Sequence, residues 1–403
     1  MKERPTSPAL ESLNRDPGGV EGSTRLEYEF EVISPVFGGG VVPMEPDLVT
    51  PIRGASIRGQ LRFWWRATSP YGDLQSLREA EEALWGSTEH PSRVSLTVET
   101  QCSRPHPSRS PERDGVSYAD FPLRSGQGQP EKVLNELRGA VKIHLDIKHH
   151  AQHAEADLLA VKNAMLAWIT FGGLGGRNRR GFGALAPTRA SCNPKELFAG
   201  PEKILEELSE TARACPGTPS LDGAALAILE QVSDSGLGAL DAGLDKLRIF
   251  RQGPGKGRDP GKSKKVPGKT RWPEASIIRS LRSNSVSEDN RPFPRAIFGM
   301  PIIFQNLTKG RFGGDPHVLP EDKDRRASPL IIRPFRKQDE RFAALALVLR
   351  DDSRLQEKVV LQLGEQIVRV RQTLAPGESR WPKSPLDGND DVLDAFLAFF
   401  AHH

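Results

Sequence analysis

The sequence predicts an α+β protein of two folded units, on three observations. Segments of apolar–polar alternation stand beside segments with apolar residues every three or four positions. The two kinds interleave in both halves without the regular rhythm of a doubly wound parallel sheet. A run of Gly, Pro, Lys and Arg, RQGPGKGRDPGKSKKVPGKTR, follows Phe250 like a linker. At 403 residues the chain is long enough for two domains and needs no metal or disulfide staple to bury a core.

Taken in order, residues 1–24 are polar with Pro and Gly and are expected to be a flexible N-terminal segment. Leu26–Ile33 (LEYEFEVI) alternates as a half-buried strand should, and SPVFGGG after it forms a turn. Ser56 is placed to cap a helix that runs to Ala67, and Leu74–Trp85 is a second helix. Arg93–Thr100 reads as a strand, and residues 103–130, rich in Pro, Ser, Arg and Gly, as an exposed insertion. Lys142–Ile147 is a strand and Asp157–Phe171 a helix that runs into GGLGGRNRRGFGAL. Residues 191–245 read as amphipathic helical stretches and Lys246–Phe250 as a strand. Beyond the basic loop at 253–271, Glu274–Leu281 is a helix and Pro301–Gln305, Leu330–Arg333 and Phe342–Arg350 are strands. Asp390–Phe400 is a final amphipathic helix. The first unit is placed at residues 25–190 and the second at 191–403.

The 56 Lys and Arg stand against 52 Asp and Glu, so the net charge is only +4. A modest total with clustered positives points to a dedicated polyanion site rather than general stickiness. Cys102, Cys192 and Cys215 are far apart and show no C-x-x-C, which speaks against a zinc ribbon and for a reducing, cytoplasmic setting. The first residues lack the apolar core of a secretory signal, and no stretch is apolar enough to cross a bilayer, so no membrane partner is expected.

Two segments carry the chemistry. In SIRGQLRFWWRA, Arg58, Arg62 and Arg66 lie four apart and form one helical stripe, while Ile57, Leu61 and Trp64 fall on another face. Trp65 lands at the border, placed to stack on a base. Neither Asp nor Glu occurs between Asp47 and Asp73, so the stripe has no local counter-charge. A phosphate backbone would supply one, and Arg binds phosphate through a planar fork. A plain solvated face is the alternative reading. The second segment, FGGLGGRNRRGFG, holds six glycines and three arginines in thirteen residues, with no acid from Leu158 to Lys195. Glycine lets backbone N–H groups approach a ligand and arginine adds charge. The dinucleotide register fails at Asn178, and a helix rather than a strand precedes the loop. An interdomain hinge is the bland alternative.

Other candidates are weaker. GKS at Gly261–Ser263 and GKT at Gly268–Thr270 lack the first glycine of a phosphate-binding loop, because Lys256 and Ser263 stand there. The basic run from Lys246 to Pro273 reads instead as a loop adding electrostatic attraction. His144, His149, His150 and His153 cluster near Asp157, but there is no H-E-x-x-H spacing, and solvated loop histidines are the default over a metal site or a catalytic base. No catalytic constellation and no cofactor or metal site is found.

Taken together, SPVFGGG, PIRGASIRGQLRFWWRA, LWGS at Leu84–Ser87 and GGLGGRNRRGFG resemble the RAMP superfamily of CRISPR-associated proteins. Within it the chain is similar to the first-subunit family of the type III-B Cmr effector complex. WPEASIIR, FPRAIFGMPIIF and RRASPLIIRP in the C-terminal half agree, so the resemblance spans most of residues 26–350. It implies two tandem ferredoxin-like domains of the RNA-recognition type with inserted loops. It implies guide RNA, target RNA and other Cmr subunits as partners, a place near the 3′ part of the guide, and no catalytic role. Carried onto this chain, the RNA-binding positions are Gly38, Gly39, Gly40, Arg53, Arg58, Arg62, Trp65, Arg66, Gly175, Gly176, Arg177, Arg179 and Arg180. Because some proteins of this fold are nucleases, a metal-independent endoribonuclease that processes guide precursors is the rival function.

Overall fold

The structure, a computed structural model, describes residues 22–37, 47, 50–102, 106–108, 114–120, 134–136, 139–148, 153–190, 199–253, 271–281, 290–305, 307–308, 311–381 and 384–402. The N-terminal segment 1–21, Gly38–Gly40, most of the 103–130 insertion, His149, His150 and the basic loop at 254–270 lie outside these residues.

The chain runs β1 (Ser23–Val32), α1 (Gly54–Ala67), α2 (Leu74–Trp85), β2 (Val94–Cys102), β3 (His106–Ser108), α3 (Asp114–Asp120), β4 (Leu134–Glu136), β5 (Gly139–Lys148), α4 (Ala154–Phe171) and β6 (Leu185–Ala190). It continues with α5 (Pro201–Thr211), β7 (Ser220–Ser233), α6 (Gly236–Gln252), α7 (Glu274–Ser280), β8 (Ile302–Ile303), β9 (His317–Pro320), β10 (Leu330–Arg336) and β11 (Phe342–Arg350). The last elements are α8 (Asp352–Leu355), β12 (Val359–Leu363), β13 (Gln366–Val370) and α9 (Val392–His402).

Alternation builds the first sheet. Leu26, Tyr28 and Phe30 of β1 point inward, while Glu27 and Glu31 are exposed. The strands stand in the order β2-β5-β1-β6 and all pairs are antiparallel. α1 and α4 pack together with this sheet in one core. α1 contributes Ile57, Leu61, Trp64 and Trp65 at helical spacing, and Trp168 of α4 meets Phe30 edge-on at 6.1 Å.

The second sheet has the order β10-β11-β7, again antiparallel, which repeats the relative order of the first unit's first three strands. β11 is buried without interruption from Ala343 to Leu349 because both its faces are covered. Leu345, Leu347 and Leu349 join the first unit's core. Ala344, Ala346 and Val348 meet α6 and α9 on the other side. A third sheet, β13-β12-β9-β8, has its own cluster around Phe293, Val318 and Leu361.

Three expectations fail. Residues 220–233, read as helical, form the long strand β7. Lys246–Phe250, read as a strand, closes α6, whose buried Leu240, Leu244, Leu247 and Phe250 keep helical spacing. Gly115–Ala119 of the 103–130 insertion are not exposed. Val116 and Ala119 of α3 are buried in the second unit's core, and Asp241 of α6 accepts from the Gly115 and Val116 N–H groups at 3.1 Å each.

Candidate nucleic-acid interface

The two arginine–glycine segments meet in space. α1 enters through Arg53, at its N-cap with no side-chain cap bond, so Ser56 does not cap it as expected. The glycine-rich loop leaves α4 at Gly172, where any Cβ would strike the Trp168 and Trp64 rings. Asn178 Nδ2 donates to Gln60 Oε1 of α1 at 3.0 Å, and the Arg179 guanidinium lies over the Phe63 ring at 5.5 Å. Between them is a cleft of about 150 Å³ lined by Gln60, Phe63, Asn178, Arg179 and Ile331. Gly176 N–H donates to Phe37 O, so the strand end that precedes Gly38–Gly40 is also tied to the loop. Gly175 sits at φ +68°, where an added Cβ would strike Phe37 O, a place with no room for a side chain.

The arginine stripe is not free of counter-charge, as its sequence neighbourhood implied. Glu81 of α2 is buried and accepts from Arg62 Nε and Arg66 NH1, each at 2.6 Å. Arg53 is paired with Asp47 at 2.7 Å. Arg58 donates to Trp85 O and, at 3.1 Å, to Val94 O, and its guanidinium covers the Trp85 ring at 5.7 Å. Arg62 and Arg66 thus share one carboxylate while Arg58 bonds to carbonyls, and the three-arginine stripe stays net positive. Trp65 is only 4% exposed and belongs to the core, so it does not stand at the border as a stacking platform.

The loop arginines tie the glycine-rich loop to α3 and to the chain at the start of β10. Arg177, in the left-handed region at φ 57°, donates to Ala119 O at 2.7 Å. Arg179 donates to Ser328 O, and Arg180 to Leu330 O at 2.9 Å. Among the described residues Arg58, Arg179 and Arg180 bond to carbonyl oxygens and to no carboxylate. Burial, then the charge of Arg354, pulls the Arg179 guanidinium down to about 10. Burial, then Arg251, does the same for Arg180, also to about 10. Arg58 is lowered by burial and by Arg62. Burial is the first cause in all three, with a neighbouring arginine second.

Sequence reasoning missed Arg333. It is 1% exposed and donates to Ile169 O, to Leu185 O at 2.7 Å and to Pro334 O at 3.2 Å. Burial lowers it to about 9. Glu81 was also missed, although a signal existed: it lies four residues after Leu77 and four before Trp85, on the helix face that is otherwise apolar. An acid there needs a cation from elsewhere.

Of the histidine cluster, His144 and His153 are described. His144 stands on β5 between Glu27 and Glu99, at 3.3 and 3.4 Å. His153 lies at the start of α4, and Asp157 is paired with Arg93 at 2.8 Å. Among the described residues no group of three His, Cys, Asp or Glu is placed to hold a metal, and no helix is long and apolar enough to cross a membrane.

Residues 29–186, which include both segments, match the family model described as the RAMP superfamily. The chain is 27% identical over 180 residues to Cmr1-2, a Cmr subunit of the CRISPR system of Pyrococcus furiosus, a match covering 39% of this chain and 92% of that protein. It is 23% identical over 261 residues to Cmr1-1 of the same organism, covering 62% and 70%. Its fold is similar to the crystal structure of Cmr1 from Pyrococcus furiosus in the apo form, with a TM-score of 0.50 at 18% identity over 81% of this chain and 88% of that one.

Proposed function

We propose that this chain, a RAMP-superfamily protein of the Cmr1-like type, is a non-catalytic RNA-binding subunit of a type III-B CRISPR (Cmr) ribonucleoprotein effector. It grips guide or target RNA near the 3′ part of the guide and docks on other Cmr subunits in the cytoplasm. The observation that carries this reading is the convergence of α1 and the glycine-rich loop. There Arg58, Arg179 and Arg180 are satisfied by carbonyls alone and keep their charge for an external anion. A guanidinium has five N–H donors, so one or two carbonyl bonds leave others for phosphate. Such contacts read the backbone and not the base, which suits a subunit that must accept any guide. Arg62, Arg66, Arg177, Gly175 and Gly176 belong to the same proposed grip, and Gly38–Gly40 of the sequence reading lie outside the described residues.

The fold part of the proposal is a pair of tandem ferredoxin-like units at 25–190 and 191–403. It is supported by the β-α-β-β-α-β order of the first unit and the repeated order of β10-β11-β7. The second sheet has three strands among the described residues, so that repeat is abbreviated.

The test is incubation of the full chain with a repeat-containing RNA. Retention of intact RNA is expected. Specific cleavage that disappears in His149→Ala or His153→Ala would overturn the non-catalytic reading in favour of a processing endoribonuclease.

A further inference from the structure

The last turn of α6 carries an arginine that caps nothing. Arg251 is half-buried, and its guanidinium lies over the buried Phe298 ring at 5.7 Å. Among the described residues it has no hydrogen-bond acceptor and no carboxylate partner. Its Nε is buried in that state, whereas the terminal nitrogens keep accessible surface and are the part that meets solvent. A cation in a helix's last turn commonly serves the terminal carbonyls. Here other donors do so. Ile249 O accepts from the Gly253 N–H at 2.7 Å and from Arg271 NH1 at 2.9 Å, and Phe250 O accepts from Trp272 Nε1 at 3.3 Å. The two acids of α6 are engaged as well. Asp245 accepts from Arg248 Nε at 2.6 Å, and Asp241 from the Gly115 and Val116 N–H groups.

The fold sets this arginine beside the glycine-rich loop. Gly181 lies against Leu240 of α6 so closely that a Cβ there would strike it. Leu330, whose carbonyl receives Arg180, and Phe298, which lies under Arg251, share one core cluster. Burial lowers Arg180 first, and of the charges that act on it Arg251 is the largest, ahead of Arg177 and Arg179. No carboxylate is among those charges. Arg180 is half-buried too. Its NH1 is held by Arg179 O at 3.1 Å and Leu330 O at 2.9 Å, while Nε and NH2 carry no hydrogen bond among the described residues and are not buried. Arg177, anchored on Ala119 O of α3, adds a third positive charge. Like charges drawn together out of water are costly unless an anion joins them. A phosphate fits, because its free oxygens can take one guanidinium fork each.

We propose that Arg180 and Arg251 hold one backbone phosphate between them, which carries bound RNA past the glycine-rich loop onto the C-terminal end of α6. This phosphate site rests on the RNA-binding reading above and adds Arg251, which lies outside both arginine–glycine segments, to the grip. The experiment titrates labelled single-stranded RNA with the full chain, Arg251→Gln and Arg251→Lys across a salt series. Arg251→Gln loses one phosphate contact, so its salt slope should be shallower by about 0.7 and its affinity about eightfold lower at 50 mM salt, a gap that closes towards 1 M. Arg251→Lys should keep the parent's slope, because the slope counts charges. In the free protein Arg251→Gln loses the Phe298 contact and gains relief from Arg180, so its urea midpoint should not fall. A Gln variant with the parent's slope and affinity overturns the inference and leaves the grip of α1 and the loop standing. A Lys variant as weak as the Gln variant also overturns it, since the effect then lies in packing and not in charge. If the parent binds no RNA, the grip itself falls. Thermal protection by pyrophosphate, present in the parent and lost in Arg251→Gln, would then keep the anion site alone, and its absence from the parent would fell both.

Discussion

Glu81→Gln separates the structural role of the arginine stripe from its role toward RNA. Glu81 Oε1 takes hydrogen bonds from both Arg62 and Arg66 at 2.6 Å, and the carboxylate side chain is 9% exposed. A hydrogen bond to a charged group contributes about 1.5–3 kcal/mol. The two arginine side chains are 36% and 31% exposed, so on losing the carboxylate they re-solvate rather than remain stranded. Glutamine keeps the volume and one acceptor. The expected loss is therefore about 2 kcal/mol, read as a lower urea midpoint at unchanged slope. RNA binding should move the other way. One net positive charge is released, and each phosphate neutralised on a single strand adds about 0.7 to the salt slope. The slope should steepen by about 0.7, so that affinity falls by a further factor of about 2.6 between 50 and 200 mM salt. Fluorescence anisotropy with a labelled single-stranded RNA reads this. A destabilised variant with the parent's affinity and slope would refute the placement of RNA on this face. An unchanged midpoint would refute the buried pairing itself.

Three further outcomes follow from the same geometry. Arg333→Lys keeps a buried charge but cannot fork across Ile169 O and Leu185 O, so stability should drop by about 2 kcal/mol in urea unfolding; an unaltered midpoint contradicts its role as a pin. Gly181→Ala places a Cβ at φ +75° against Leu240, with Ile332 O at 2.7 Å and Arg333 Cα at 2.9 Å, and should cost about 3 kcal/mol, visible as a large fall in Tm. Hydrogen bonding from Ser379, then from the Gly377 N–H, holds Asp390 below the usual carboxylate range. Its stabilisation is therefore present above about pH 4 and is lost as pH falls through the depressed value. Asp390→Asn should be less stable than the parent at neutral pH and equal to it in strong acid, and a constant difference across pH would contradict this.

Elements whose apolar pattern faces one core were legible in the sequence. β1, β2, β5, α1, α2, α4 and β11 lie close to where alternation or helical spacing puts them. β7 was not legible. Its SLDGAALAILEQVS is rich in Ala, Leu, Glu and Gln, good helix formers, and pairing with β11 overrides that preference. The last turn of α6 misled in the opposite sense, because KLRIF carries strand-forming Ile and Phe while its buried positions continue a helix. At the site, residue types were legible and pairings were not. A window free of acids from Asp47 to Asp73 says nothing of Glu81, which α2 brings back onto α1. Likewise Arg179 and Arg180 bond to backbone carbonyls 149 and 150 residues away, and backbone carbonyls carry no sequence signature. Trp65 fell at the border of an ideal helical wheel, yet the wall packed against α1 is wide enough to bury it beside Trp64.

The most direct test of the account is the salt dependence of single-stranded RNA affinity for the unmutated full chain. Arg58, Arg62, Arg66, Arg179 and Arg180, offset by Glu81, leave about four positive charges for phosphate. At about 0.7 per phosphate, log affinity should fall linearly with log salt with a slope of about −3, alike for unrelated sequences of equal base composition. A slope near zero, or no binding at 50 mM salt, would contradict the claim that this surface grips RNA.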